Sequence, residues 1–146
     1  MIINPDSVPR HTGTNYPEKF QHWVKGRSKQ KLSEAAGLSN FGVNLVTLQP
    51  GSYSSVRHWH LKQDEFIYVI SGEITLISNQ EEQILHSGDC AGFPAGEANG
   101  HHLHNKSQEI AQYLEIGDRT AEDVVSYPDV NLVATYEEQG WVFHSK

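Results

Sequence analysis

The chain is 146 residues long, about one domain, and its 37% hydrophobic content with three Trp, five Phe and six Tyr excludes a disordered polymer. A formal net charge of −7 excludes a general binder of the nucleic-acid backbone, which needs an excess of Lys and Arg. One cysteine, Cys90, excludes an intrachain disulfide, and no window reaches the ~20 apolar residues of a membrane span.

Residues 1–40 are rich in Pro, Gly, Asn and Lys and read as an N-terminal arm draped over the rest. The start, MIINPDSVPRHTG, has neither the basic opening nor the apolar stretch of a signal peptide, so a cytoplasmic location is expected, with no membrane partner. The basic stretch Lys25-Gly-Arg27-Ser-Lys29-Gln-Lys31 lacks interleaved aromatics and reads as a solvated segment, with no nucleic-acid partner. A short helical turn is plausible at Ser33 to Ala36.

From residue 41 the pattern changes to short β-rich runs separated by Gly, Pro, Asn and Ser. Strands are expected at Gly42 to Leu48, Ser54 to His60, Glu65 to Ile70, Glu73 to Ile77, Gln83 to Leu85, Cys90 to Phe93, His101 to Asn105 and Ile110 to Ile116. Ser71-Gly72, Asn79-Gln80 and Ser87-Gly88 supply the residues that tolerate the positive φ of tight turns. Eight strands in so short a span predict an all-β sandwich or barrel. In the run Cys90-Ala-Gly-Phe93 the cysteine reads as a small buried residue. The tail, 118–146, carries the apolar runs Leu132-Val-Ala and Trp141-Val-Phe around Glu137-Glu-Gln-Gly140, an edge hairpin belonging to the same domain.

Nine histidines are many, and three groups of residues matter. His58 and His60 sit at i and i+2, so a β-strand points both imidazoles to one face. Glu65 has the wrong parity to join them on a continuous strand. A hairpin over Leu61 to Asp64 would set it opposite His60 as a cross-strand pair. A carboxylate buried beside neutral imidazoles is costly unless a cation compensates it, so a metal ion is the natural occupant. Alternation then divides His101, Leu103 and Asn105 from His102 and His104; His101 is the fourth candidate ligand and His102 the reserve. Isolated His11, His22, His86 and His144 read as ordinary surface or core residues.

With these residues in view the chain resembles the cupin superfamily, specifically its small single-barrel proteins. Gly51, His58, His60, Glu65 and Gly72 follow the first cupin motif, with one extra residue before His58. Gly88, Pro94, Gly96, His101 and Asn105 follow the second, with two extra residues between Gly96 and His101. The resemblance implies a jelly-roll β-barrel (a double-stranded β-helix) over residues 41–117 and one divalent Mn, Fe, Ni or Zn per chain on His58, His60, Glu65 and His101. It also implies a homodimer. Segments such as DCAGFPAG and YLEIGDRT resemble a group loosely labelled sugar-phosphate isomerases or regulators.

Three imidazoles and a carboxylate leave open positions on a five- or six-coordinate metal, which suits Lewis-acid chemistry. A metal-dependent enzyme acting on a small polar or anionic ligand, of sugar-phosphate isomerase or dioxygenase type, is therefore expected. A non-enzymatic ligand-binding or sensing module is the alternative. Arg57 has outward parity, and Glu115 and Arg119 lie near the end of the last core strand; no acid–base pair stands out.

Overall fold

The structure, a computed structural model, describes residues 1–146. Its strands are β1 (Arg10–His11), β2 (Arg27–Lys31), β3 (Phe41–Leu48), β4 (Trp59–His60), β5 (Glu65–Ser71), β6 (Glu73–Ile77), β7 (Glu82–His86), β8 (Cys90–Phe93), β9 (His102–His104), β10 (Ala111–Asp118), β11 (Val124–Tyr127), β12 (Leu132–Glu137) and β13 (Gly140–His144). They form a six-stranded sheet in the order β1-β2-β3-β10-β5-β8, a four-stranded sheet β13-β12-β11-β4 and a three-stranded sheet β7-β6-β9. All pairings are antiparallel, as in a jelly-roll barrel. No helix is long and apolar enough to cross a membrane.

The period of two explains which face is buried. In β5, Ile67 and Val69 point inward while Phe66, Tyr68 and Ile70 stay exposed. Val46 and Leu48 of β3, Tyr113 of β10, Ile74 and Leu76 of β6 and Leu103 of β9 complete one core between the six- and three-stranded sheets. A second core joins Val125, Tyr127, Leu132 and Ala134 of the four-stranded sheet to Tyr16, Phe20 and Val24 of the N-terminal arm. The 3₁₀ segment Glu18–Val24 thus closes one side of the barrel.

Several expectations need correction. The basic stretch is strand β2, not a solvated segment: Arg27 and Gln30 are buried, and the register Lys29↔Val46 turns Lys29 toward the interior. Cys90 is exposed, because β8 is the edge of its sheet and Cys90 pairs with the outward-facing Tyr68. From Ser54 to Arg57 the backbone is irregular, held by isolated bridges Tyr53↔His104 and His58↔His101. Serine side chains replace the ladder there: Ser54 Oγ accepts from Leu103 N at 2.8 Å, and Ser55 Oγ lies 3.2 Å from His58 Nδ1. The hairpin over residues 61–64 does not form. β4 pairs with β11 and β5 with β8 and β10, so the loop carries the chain from one sheet to another. Val124–Tyr127 is a strand that its short mixed sequence did not announce. The hairpin of β12 and β13 lies at the sheet edge as expected.

Candidate metal centre

Three imidazoles meet one carboxylate oxygen inside the barrel. Nε2 of His58 lies 3.3 Å, Nε2 of His60 3.1 Å and Nε2 of His101 3.1 Å from Glu65 Oε1. His58, His60 and Glu65 also form a cluster whose ligand atoms all lie within 4.8 Å of one another. Although His60 and Glu65 belong to different sheets, their side chains meet across the interior, which replaces the cross-strand contact expected from a hairpin.

Each ring is held through its other nitrogen. His58 Nδ1 is 2.9 Å from Val56 O, His60 Nδ1 is 2.5 Å from Asp123 Oδ2, and His101 Nδ1 is 3.5 Å from Asn99 O. With Nδ1–H donating to these acceptors, the Nε2 lone pairs face Glu65. Lone pairs aimed at a carboxylate oxygen repel unless a proton or a cation stands between them. Ligand atoms each ~2.1 Å from a single ion sit roughly 3.0–3.4 Å apart at octahedral or tetrahedral angles, and the three Nε2-to-Oε1 distances fall in that range, although His101 lies outside the mutually close trio of His58, His60 and Glu65. The donor set therefore fits a divalent transition ion.

With no ion bound, a proton on His60 takes the cation's part beside Glu65. Burial opposes ionisation of Glu65, but His58, His101 and His60 overcome it and hold the carboxyl well below its usual range. Burial also works against protonation of His60, yet Asp123 and Glu65 outweigh it and push that imidazole up to about 9. His101 goes the other way, because burial dominates and its ring is stacked on Phe93 with centroids 3.6 Å apart.

His102 is not part of this cluster. Its parity turns it to the opposite face, where Nδ1 donates to Ser55 O at 2.9 Å and the ring packs on Tyr53. Asn105 of the second motif is buried away from the cluster, bonding Leu48 O and Glu109 O through Nδ2 and Ser107 through Oδ1. Arg57 is drawn outward into a pair with Asp129 at 2.8 Å.

Two further residue groups surround the cluster, of which the sequence singled out Glu115 but gave no sign of Asp123. Asp123, fully buried, accepts from Lys62 N and Gln63 N through Oδ1 while Oδ2 faces His60. Glu122 before it has φ +59, the turn that aims the carboxylate inward. The second group is Glu115, which accepts from Lys29 Nζ at 3.0 Å and Asn44 Nδ2 at 3.0 Å. Burial raises the Glu115 carboxyl, but Lys29 and Asn44 prevail and hold it below its ordinary value. Glu115 pairs with Ile67, so it is a diagonal neighbour of Glu65, about 7–8 Å away along the same inner face. The cluster lies between a cavity of 290 Å³ on the Phe93 side and a wide-mouthed one of 1130 Å³ that also contains Lys29 and Glu115; His60 and Glu65 line both.

Against known proteins, the cupin domain family matches residues 44–117. The chain belongs to the cupin family. A solved sugar phosphate isomerase of the cupin superfamily from Silicibacter pomeroyi DSS-3 is 40% identical over 100% of this chain and 93% of its own, with a TM-score of 0.96. A candidate sugar phosphate isomerase from Acidithiobacillus ferrooxidans is 32% identical over 82% of this cupin and 76% of its own chain, with a TM-score of 0.76. The polyketide cyclase RemF from Streptomyces resistomycificus shares the fold at 17% identity, 81% and 78% coverage and a TM-score of 0.67. The comparison with curated proteins gives no match.

Proposed function

We propose that this cupin holds one divalent transition ion on His58, His60, Glu65 and His101 and catalyses proton transfer in a small polar substrate, in the manner of a sugar-phosphate isomerase. The observation that carries the reading is the convergence of three Nε2 atoms on a single carboxylate oxygen. When bound, the ion supplies Lewis-acid polarisation of a carbonyl or hydroxyl oxygen. Glu115 supplies what the ligand residues cannot: an ionised carboxylate on the same inner face, positioned by Lys29 and Asn44, able to take a proton from a carbon beside the polarised group. The isomerase-type names of the two relatives above 30% identity support the same class. The Lys29 pair also lowers the basicity of Glu115, and that favours the second reading, a non-enzymatic binding or sensing module.

Protein purified without added metal should carry about one equivalent of transition metal, lost in His58→Ala and Glu65→Ala. Less than about a tenth of an equivalent, with none rebinding, overturns the metal reading. Sugar phosphates and 1,2-diols are then screened on the metal-loaded protein. Turnover that falls about 10²-fold or more in Glu115→Gln at unchanged metal content supports the enzyme; binding without turnover supports the module. The exposed strip of Phe66, Tyr68 and Ile70 supports assembly as a homodimer, which sedimentation of the wild type against Tyr68→Lys tests.

A further inference from the structure

The 1130 Å³ cavity opens past a glycine row. Gly42 of β3 pairs with Gly117 of β10, and Gly117 pairs with Glu65 of β5. Gly42 shares the inward parity of Asn44, Val46 and Leu48, so a side chain there would project into the barrel mouth. The space it leaves is filled: a Cβ on Gly42 would collide with the guanidinium of Arg119. Arg119 follows β10, its backbone N–H donating to Asn40 O at 3.2 Å, and its side chain folds back over the glycine to line the cavity that holds His58, His60 and Glu65. Of the other cations lining this cavity, Lys29 is paired with Glu115, Arg27 donates to Ser54 O and Arg10 to Thr47 Oγ1, while Lys31 at the end of β2 is exposed; the Arg119 guanidinium has no carboxylate partner and is the one seated over the glycine row. Adjacent strands lie ~4.8 Å apart, so Gly42 is roughly 10 Å from Glu65 along the row, about the span of a small molecule of several heavy atoms.

We propose that Arg119, seated in the notch left by Gly42, is the specificity residue for an anionic group, carboxylate or phosphate, on a ligand whose oxygen-rich end faces His58, His60 and Glu65. A planar guanidinium with open donors presents the fork that a carboxylate or phosphate accepts in two hydrogen bonds. In a chain of net charge −7, an unpaired cation at the entrance to its cavity also favours entry of anions over neutral ligands. The inference rests on the proposed function for the role of the cluster, but the Arg119 contact itself needs no metal.

Three probes with one diol end and different distal ends separate the alternatives: glycerol, glycerate and glycerol 3-phosphate. Calorimetric titration of the purified protein, with metal content measured on the same samples, should give about tenfold or greater preference for one of the anionic probes over glycerol. Whichever binds more tightly distinguishes carboxylate from phosphate. Arg119→Ala should abolish the preference at unchanged metal content, and Gly42→Ala, which displaces the guanidinium while leaving Arg119 in the chain, should do the same. Lys106→Ala, with the same loss of one charge at an exposed pair with Glu82, should keep it. No anionic preference in the wild type, or a preference that survives Arg119→Ala, overturns the proposal. A metal-free wild type that still shows an Arg119-dependent preference leaves this site standing while the metal reading fails.

Discussion

Asp123 acts on the cluster through His60. Its Oδ2 fixes which nitrogen of the ring carries the proton, and its Oδ1 is fixed in turn by two backbone N–H groups, so neither carboxylate oxygen is free to swing away. Asp123→Asn should therefore weaken metal affinity by about 10–100-fold, as partners of ligand histidines commonly do, with the far-ultraviolet circular dichroism unchanged. Competition against a chromophoric chelator measures it, and an unaltered affinity would remove Asp123 from the centre. At Glu115 the linkage has a definite sign. Its carboxyl is depressed in the folded state, so the stability it contributes is complete above about 4.5 and is lost as pH falls through the lowered folded value. Unfolding free energies from urea titrations of wild type and Glu115→Gln should differ by about 1–3 kcal/mol at pH 7 and converge on acidification; a gap independent of pH would contradict the ion pair. His58 and His60 were legible because an i, i+2 spacing on extended backbone turns both rings to one face, although β4 itself begins only at Trp59 and His58 is held by a single bridge to His101. Asp123 was not, since it lies 63 positions from its partner and nothing local marks it.

At the scale of elements, local punctuation was readable and sheet membership was not. Gly72 and Gly88 both have positive φ and sit between strands, as the Ser-Gly pairs indicated. The Leu61–Asp64 loop looked like another hairpin, but four residues can return a strand to its neighbour or carry it to another sheet. The choice was made by distant pairing, Trp59 with Ser126 and His60 with Val125. Likewise Arg27 to Lys31 became a strand because the exposed side of β3 needed a partner, which outweighed its unpromising lysines. The two turn glycines differ in a way that can be measured. A Cβ on Gly72 would come within 2.7 Å of Ile110 O and 2.9 Å of Ala111 Cα, both backbone atoms, whereas one on Gly88 meets nothing within 4 Å. Gly88→Ala should cost only the left-handed penalty of about 1–2 kcal/mol. Gly72→Ala adds a clash that β10 must shift to relieve, so its loss in a urea titration should exceed that of Gly88→Ala; equal losses would mean that the turn absorbs the side chain without moving β10.

Across the whole molecule, the cluster is where the separate sheets meet. Glu65 comes from the six-stranded sheet, His60 from the four-stranded sheet, and His101 leads directly into β9 of the three-stranded sheet. The two hydrophobic cores lie to either side and share no residue, so between them the barrel is held in part by polar contacts through this point. Alternating apolar residues announced the barrel, but the meeting of its sheets depends on the crossing between β4 and β5. On the proposed function, an ion held by these four side chains in the folded state, and not in the unfolded one, would fasten the sheets together. At a free-ion concentration 100 times its dissociation constant it adds about 2.7 kcal/mol of stability. For a chain of this size each kcal/mol moves the melting temperature by roughly 2–4 °C, so chelation should lower it by about 5–10 °C. Readdition of the metal should restore it, and His58→Ala, whatever its own melting temperature, should show no dependence on chelator. A wild-type transition that is the same with and without chelator would show that the sheets are joined without an ion.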